Sequence, residues 1–234
     1  MNPENMFGCL YHSLFTYRLF ALMKRVPLFQ SSNQLGHSSQ QILQTLLSPY
    51  FFPIGIQIRA GDQTMTRTNI SLDEKIILKK SENFFTCSQQ IINTNETLFR
   101  ETNQIPIIFL LADDVRIRQA ALKRWKFSLE CFQSFENKCQ LNNSGLNILS
   151  NSNPVFHVQY ANDRILAFEL GIFDNFLFSL CEQHIISRDS GFGRFAAFAS
   201  VKLRNIYSMG PNEQSSCQNQ SLPLAKAAYY WSGI

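Results

Sequence analysis

Charge is scarce in this chain. Asp, Glu, Lys and Arg make up 16% of its 234 residues, well under the roughly one quarter usual for globular proteins. That excludes a charge-rich disordered chain and a coiled coil. The net charge of +4 is too mild to indicate a nucleic-acid binder, whose basic residues cluster on one face. A Cys-x-x-Cys pair is also missing, which argues against a zinc or thioredoxin-like site. Nor is there a clean apolar run at the amino end. Met6 to Met23 is fairly apolar, but His12 and Arg18 interrupt it. It has neither a basic lead nor a small-residue cleavage site, so it reads poorly as a signal peptide or a membrane span. Leu10, Leu14, Phe15, Leu19, Phe20 and Leu22 suit an amphipathic or buried helix instead.

What is present is apolar and aromatic material, 45% and 13% of the residues, enough for a sizeable core. Six cysteines (Cys9, Cys87, Cys131, Cys139, Cys181, Cys217) allow up to three disulfides in an oxidising compartment. Cys131 with Cys139 is one pairing that proximity permits, among many connectivities. Asn69, Asn95, Asn142 and Asn219 each open an Asn-x-Ser/Thr acceptor pattern, which favours a lumenal or extracellular chain. Any targeting segment would then lie outside this chain, as in a fragment or a truncated gene product.

The patterning is strand–helix–strand. A Ser/Gln-rich loop leads to a short helix over Gln41 to Leu47, stopped by Ser48-Pro49. From Pro53, Ile54, Ile56 and Ile58 alternate as in a strand. Leu72 to Ile92 reads as helix with breaks near Asn83 and Cys87. Ile105 to Ala112 is a continuous apolar run, the mark of a strand buried on both faces. Asp113 or Asp114 caps a helix reaching about Trp125. Asn137 to Asn153 reads as the longest loop, and Val155 to Tyr160 as a third strand. Asn162 or Asp163 starts a helix whose buried face is expected to be Ile165, Phe168, Ile172, Phe176 and Leu180. His184 to Ser187 is a strand, Ser190 to Ser200 a helix, and Leu203 to Tyr207 a strand. The tail from Gly210 reads as irregular, with a short helix over Leu224 to Tyr230. This rhythm predicts an α/β fold, a Rossmann-like parallel sheet covered by helices on both faces. Its expected limits are a helical lead-in and loop over residues 1–50, a nucleotide-type domain over 51–208, and a tail over 209–234.

Ligands of open parallel sheets bind at the carboxyl ends of the strands, and three segments end there. In Gln57-Ile58-Arg59-Ala60-Gly61-Asp62, Arg59 leaves the strand where a guanidinium can grip a phosphate with two parallel hydrogen bonds. A pair between Arg59 and Asp62 is the plainer alternative. Asp113 and Asp114 end the second strand, and helix capping accounts for at least one of them. In the third segment a strand runs into Ser190-Gly191-Phe192-Gly193-Arg194, a helix start with free amides suited to an anion. Gly191 to Ala196 also spells G-x-G-x-x-A, but a dinucleotide fingerprint belongs to a first strand, not one so late. His12, His37, His157 and His184 read as packed or solvated.

Together the first and third segments resemble the donor-binding region of the GDP-fucose-dependent fucosyltransferase superfamily. Its first motif is similar to Gln57-x-Arg59-x-Gly61-Asp62, with Gln in place of His as in the xyloglucan-type branch. Its later motif is similar to Asp174 followed by the strand His184 to Ser187 and the Ser190–Arg194 helix start. The resemblance spans about residues 50 to 208. It implies the donor domain of a two-domain GT-B glycosyltransferase of the Golgi or secretory lumen. It further implies transfer of L-fucose with inversion to a glycan or glycoprotein acceptor, with no metal or other cofactor. Arg59 would hold the β-phosphate and serve as the catalytic cation. Asp174 would accept from the guanine edge, and Ser190, Gly191 and Phe192 would line the diphosphate. Asp113 would lie near the nucleoside. Gln57, Gly61, Asp62, Asp114, Gly193 and Arg194 complete the expected donor site. About fifty residues precede the Arg motif, too few for an acceptor domain, so the chain reads as the donor half without a membrane anchor. A nucleotide-sugar-binding remnant without turnover is the alternative, and an unrelated α/β protein a weaker one.

Overall fold

A computed structural model describes residues 36–60, 78–79, 81–127, 146–151, 162–188, 190–200, 205–210, 217 and 221–222. The expected α/β architecture is there. Helix α1 (Ser39–Leu47) opens on a capping box in which Ser38 and Gln41 satisfy each other's amides. Strand β1 (Phe51–Ile58) follows, then α2 (Glu82–Thr94), α3 (Glu96–Thr102) and β2 (Ile105–Ala112). Helix α4 (Val115–Trp125), β3 (Ile148–Leu149), α5 (Arg164–Ser179), β4 (Gln183–Ser187), α6 (Gly191–Ala199), β5 (Asn205–Met209) and β6 (Ser221–Leu222) complete the order.

The sheet order is β3-β2-β1-β4-β5-β6, with β1 through β5 parallel and β6 antiparallel at the edge. The chain builds outward from β1 through β2 to β3, then crosses back to lay β4 on the other side of β1. That reversal is the topological switch point, where a crevice opens between diverging connections. One face is covered by α2, α3 and α4, whose Phe85, Ile91, Phe99, Ile117 and Trp125 meet Phe52, Ile54, Ile108 and Leu110. The other is covered by α1, α5 and α6, whose Ile42, Leu46, Phe173, Leu177 and Ala197 meet Phe109, Leu111, Ile186 and Ile206. All eight residues of β1 are buried, as a central strand with helices on both sides requires.

Gly55 is fixed by packing. A Cβ there would lie 2.6 Å from the ring of Phe178, which is fully buried. Phe178 in turn meets His184 edge-on, with ring centroids 5.0 Å apart. Gly55→Ala is therefore expected to cost about 1–3 kcal/mol in urea unfolding. Gly55→Ala/Phe178→Leu should recover part of the loss, and equal stability of Gly55→Ala and wild type would refute the contact.

Several expectations are corrected. The break expected near Asn83 falls at Ser81, between the helical residues Leu78–Lys79 and the start of α2, but α2 runs unbroken through Cys87, and a further break falls at Asn95, where α3 begins. Strand β3 and the bridge at Asn151 lie inside the stretch expected to be loop. The apolar pair Ile148–Leu149 is short, and the Asn and Ser on either side disguise it. In α5, Ile165 and Phe168 are 73% and 57% exposed, not buried. Ile172, Phe176 and Leu180 pack into the core as expected, and the buried stripe also takes in Ala167, Leu170, Phe173 and Leu177. The tail is not wholly irregular, because β6 pairs with β5. Val155 to Tyr160 and Leu224 to Tyr230 fall outside the described residues.

Cys87 on α2 is bonded to Cys217. Cys181 is buried against the core, and Cys9 falls outside the described residues. Cys131 and Cys139 fall outside the described residues. No helix among the described residues is long and apolar enough to cross a membrane.

Candidate functional site

Strands β1 and β4 are hydrogen-bonded neighbours, so the two distant motifs meet at the switch point. The Arg59 amide donates to the Ser187 hydroxyl at 2.8 Å. Gln57 points under the start of α6, where a Cβ on Gly193 would stand 2.7 Å from Gln57 Oε1 and 3.0 Å from Ile186 Cγ2. Only a glycine lets this helix start settle so closely on β1 and β4.

The start of α6 carries the open first-turn amides and positive partial charge of a helix amino terminus. Ser190 caps it, accepting from the Gly193 amide at 3.2 Å. The amides of Gly191 and Phe192 belong to the first turn, which the helix itself leaves without acceptors. The Ser190 amide closes the turn onto the Ser187 carbonyl at 3.0 Å. Arg194 reaches back from the first turn to the Arg188 carbonyl and braces the β4–α6 loop. Asn175 on α5 donates to the Phe192 carbonyl at 3.0 Å and ties the two helices together at this level.

The two acids after β2 take different roles. Asp113 accepts from the Ala60 amide at 2.7 Å, which fastens the end of β1 to the end of β2. Asp114 caps α4 and forms a two-pronged pair with Arg116, the shortest contact being 2.6 Å. Of the two acids, Asp114 is the expected cap. Gly61 and Asp62 fall outside the described residues, as does any Arg59–Asp62 pair.

Asp174 lies beside Asn175 on the inner side of α5. Its carboxylate accepts from the Asn151 side chain, whose carbonyl in turn accepts from Arg118. Arg118 is 3% exposed. Burial pushes the Asp174 carboxyl up to about 6, against the pull of the Arg118 charge and the Asn151 hydrogen bond. Burial likewise lowers Arg118, opposed by Asp174 and Asp114. Sequence reasoning missed Arg118, Asn151, Asn175 and Ser187. For Arg118 a signal exists: it falls in the same helical stripe as Leu122 and Trp125, a charge among buried apolar positions.

Of the four histidines expected to be packed or solvated, His37 and His184 are packed. His37 Nε2 meets the Phe127 carbonyl at 2.8 Å, and burial lowers its pKa. His184 Nε2 meets the Phe178 carbonyl at 3.0 Å, and burial lowers its pKa to about 4. His12 and His157 fall outside the described residues. Among the described residues, no three His, Cys, Asp or Glu side chains gather as metal ligands do.

No family model and no curated protein matches this chain. The chemistry of the site therefore rests on its geometry. A cavity of about 740 Å3 between α2 and α4, lined by Phe85, Trp125, Lys79, Lys123 and Arg124, contains none of the expected site residues. At the carboxyl edge of β1 and β4, the Arg59 backbone and the α6 start stand side by side, joined through Ser187.

Proposed function

We propose that this chain binds GDP-fucose at the β1–β4 crevice and transfers L-fucose, with inversion, to a glycan hydroxyl. The observation that carries the reading is the placement of Arg59 and the α6 start on adjacent strands, joined through Ser187. In the transfer the acceptor oxygen bonds to the sugar C1 as the bond from C1 to the β-phosphate oxygen breaks. The hydroxyl proton departs to a base, and GDP leaves. The leaving diphosphate gains negative charge. A fixed guanidinium and a helix amino terminus stabilise that charge more in the transition state than in the ground state. Asp174 supplies the acceptor for the base edge. The disulfide and the Asn-x-Ser/Thr patterns support a site of action in the Golgi or secretory lumen. A glycan or glycoprotein acceptor follows from that setting, and the arrangement corresponds to the donor domain of a GT-B enzyme.

The test is donor hydrolysis together with thermal stability. GDP at a hundred times its Kd should stabilise the fold by about 2.7 kcal/mol, raising Tm by roughly 5–11 °C. Arg59→Ala should remove most of that rise. Arg59→Lys should not restore it, because an ammonium lacks the planar fork. GDP-fucose should be hydrolysed faster than GDP-mannose. No shift at millimolar GDP overturns the reading. A shift without hydrolysis leaves a nucleotide-sugar-binding protein without turnover.

A further inference from the structure

The cavity between α2 and α4 shares no residue with the β1–β4 crevice. Its volume of about 740 Å3 falls in the range of small-molecule sites, roughly 300–1,000 Å3. Each helix gives it one face. Glu82, Phe85, Thr86 and Gln89 line it from α2, at the spacing that puts them on one side of a helix. Ala120, Lys123 and Arg124 line it from α4 at the same spacing. The two helices meet through Phe85 and Trp125, whose ring centroids are 4.9 Å apart with planes tilted by 41°. Both side chains are buried, so they close the inner end of the cavity. Beside them Ala120 and Thr86 are small, which leaves the space open.

The outer part is cationic. This chain is sparing with charge, at 16% of its residues, yet Lys79, Lys123 and Arg124 come together here against a single acid, Glu82. Helix-end chemistry accounts for some of this. Lys123 and Arg124 stand in the last turn of α4, where the negative end of the helix favours them, and Glu82 stands in the first turn of α2. It does not account for Lys79, which precedes the amino end of α2, where a cation is disfavoured. Ser81 caps α2 without a side-chain hydrogen bond, so that end adds positive partial charge of its own. Arg124 is held in place, with its guanidinium 4.5 Å from the centre of the Trp125 ring.

We propose that this cavity binds a small organic anion with a flat apolar body, of the aromatic carboxylate class. The body enters between α2 and α4 and packs against Phe85 and Trp125, as aromatic rings pack on one another. The acid group stays at the outer rim among Lys79, Lys123 and Arg124. There Arg124 can hold a carboxylate by two parallel hydrogen bonds. Binding covers apolar lining that water otherwise wets, and the cations select the charged form. The site is separate from the nucleotide reading above and does not depend on it.

Calorimetry with 1-naphthoate tests this, with 1-naphthalenemethanol as the neutral molecule of the same body. One 1-naphthoate should bind per chain with a Kd of roughly 10–100 μM, at least tenfold more tightly than the alcohol, and millimolar GDP should not displace it. Lys123→Gln/Arg124→Gln should bring 1-naphthoate down to the affinity of the alcohol and leave the alcohol unchanged. Thr86→Trp, which fills the space between the helices, should weaken both ligands at least tenfold. Lys126→Gln removes a neighbouring exposed charge that does not line the cavity, and should change neither. Lys123, Arg124 and Thr86 are exposed, so these variants should keep the wild-type melting temperature. Absence of saturable 1-naphthoate binding, equal affinity for acid and alcohol, displacement by GDP, or indifference to Thr86→Trp each overturns the proposal.

Discussion

Loss of the Cys87–Cys217 bridge is expected to lower stability by about 4 kcal/mol, and Tm by roughly 8–16 °C. The bond closes a loop of 130 residues. Without it, the unfolded chain regains the freedom that closing so long a loop removes. Both sulfurs are buried, with Cys87 1% and Cys217 3% exposed. The bridge pins the segment after β5 to α2, helped by the Cys217 amide donating to Gln90 at 3.0 Å. Calorimetry of the oxidised protein against Cys87→Ala/Cys217→Ala measures the effect. Coincident melting curves would show that the bridge constrains little.

Removal of Asp174 should make the fold acid-sensitive. The Asp174 carboxyl titrates near 6 in the folded protein and near 3.8 when unfolded. Between those values the folded state holds more protons, so this group's contribution to stability is present below about pH 3.8 and lost as pH rises to 6. His184 titrates near 4 when folded and 6.5 when unfolded. There the unfolded state holds more protons, and stability is lost as pH falls from 6.5 to 4. Each swing amounts to roughly 3 kcal/mol, and the two oppose each other over nearly the same range. Wild-type stability should therefore change little between pH 4 and 6 on their account. In Asp174→Asn the histidine slope stands uncompensated, and the difference from wild type should grow by roughly 3 kcal/mol as pH drops from 6 to 4. Urea titrations at half-unit steps measure this. Parallel profiles would mean that Asp174 ionises near its ordinary value.

The sequence exposed the sheet more readily than the site. Strand β2 shows as a pure apolar run, and β4 followed by a Ser-Gly helix start shows as a strand–turn–helix boundary. Both signals are local. The pairing of β1 with β4 follows from topology, which the strand–helix rhythm alone restricts to a few arrangements. The stripe expected in α5 holds at Ile172, Phe176 and Leu180 but not at its start, because helical spacing reveals that residues share a face, not how much of that face is covered. Ile165 and Phe168 satisfy the period and still face water. Asn151 offered no signal at all, since an asparagine in an Asn-rich stretch reads as loop. Its importance arises from Arg118 and Asp174, which lie far from it along the chain.

Strand β1 shows what this layout asks of the newly made chain. Its partner β2 comes soon after it, but its other edge waits for β4, more than a hundred residues later. Pairings of such long sequence separation form slowly, because a large loop must close before any bond is made. Until then the middle of the sheet is an open edge that invites misplaced strands. The crevice proposed for the nucleotide cannot exist before that seam shuts, so a ligand spanning it would act as a clasp on the step most prone to fail.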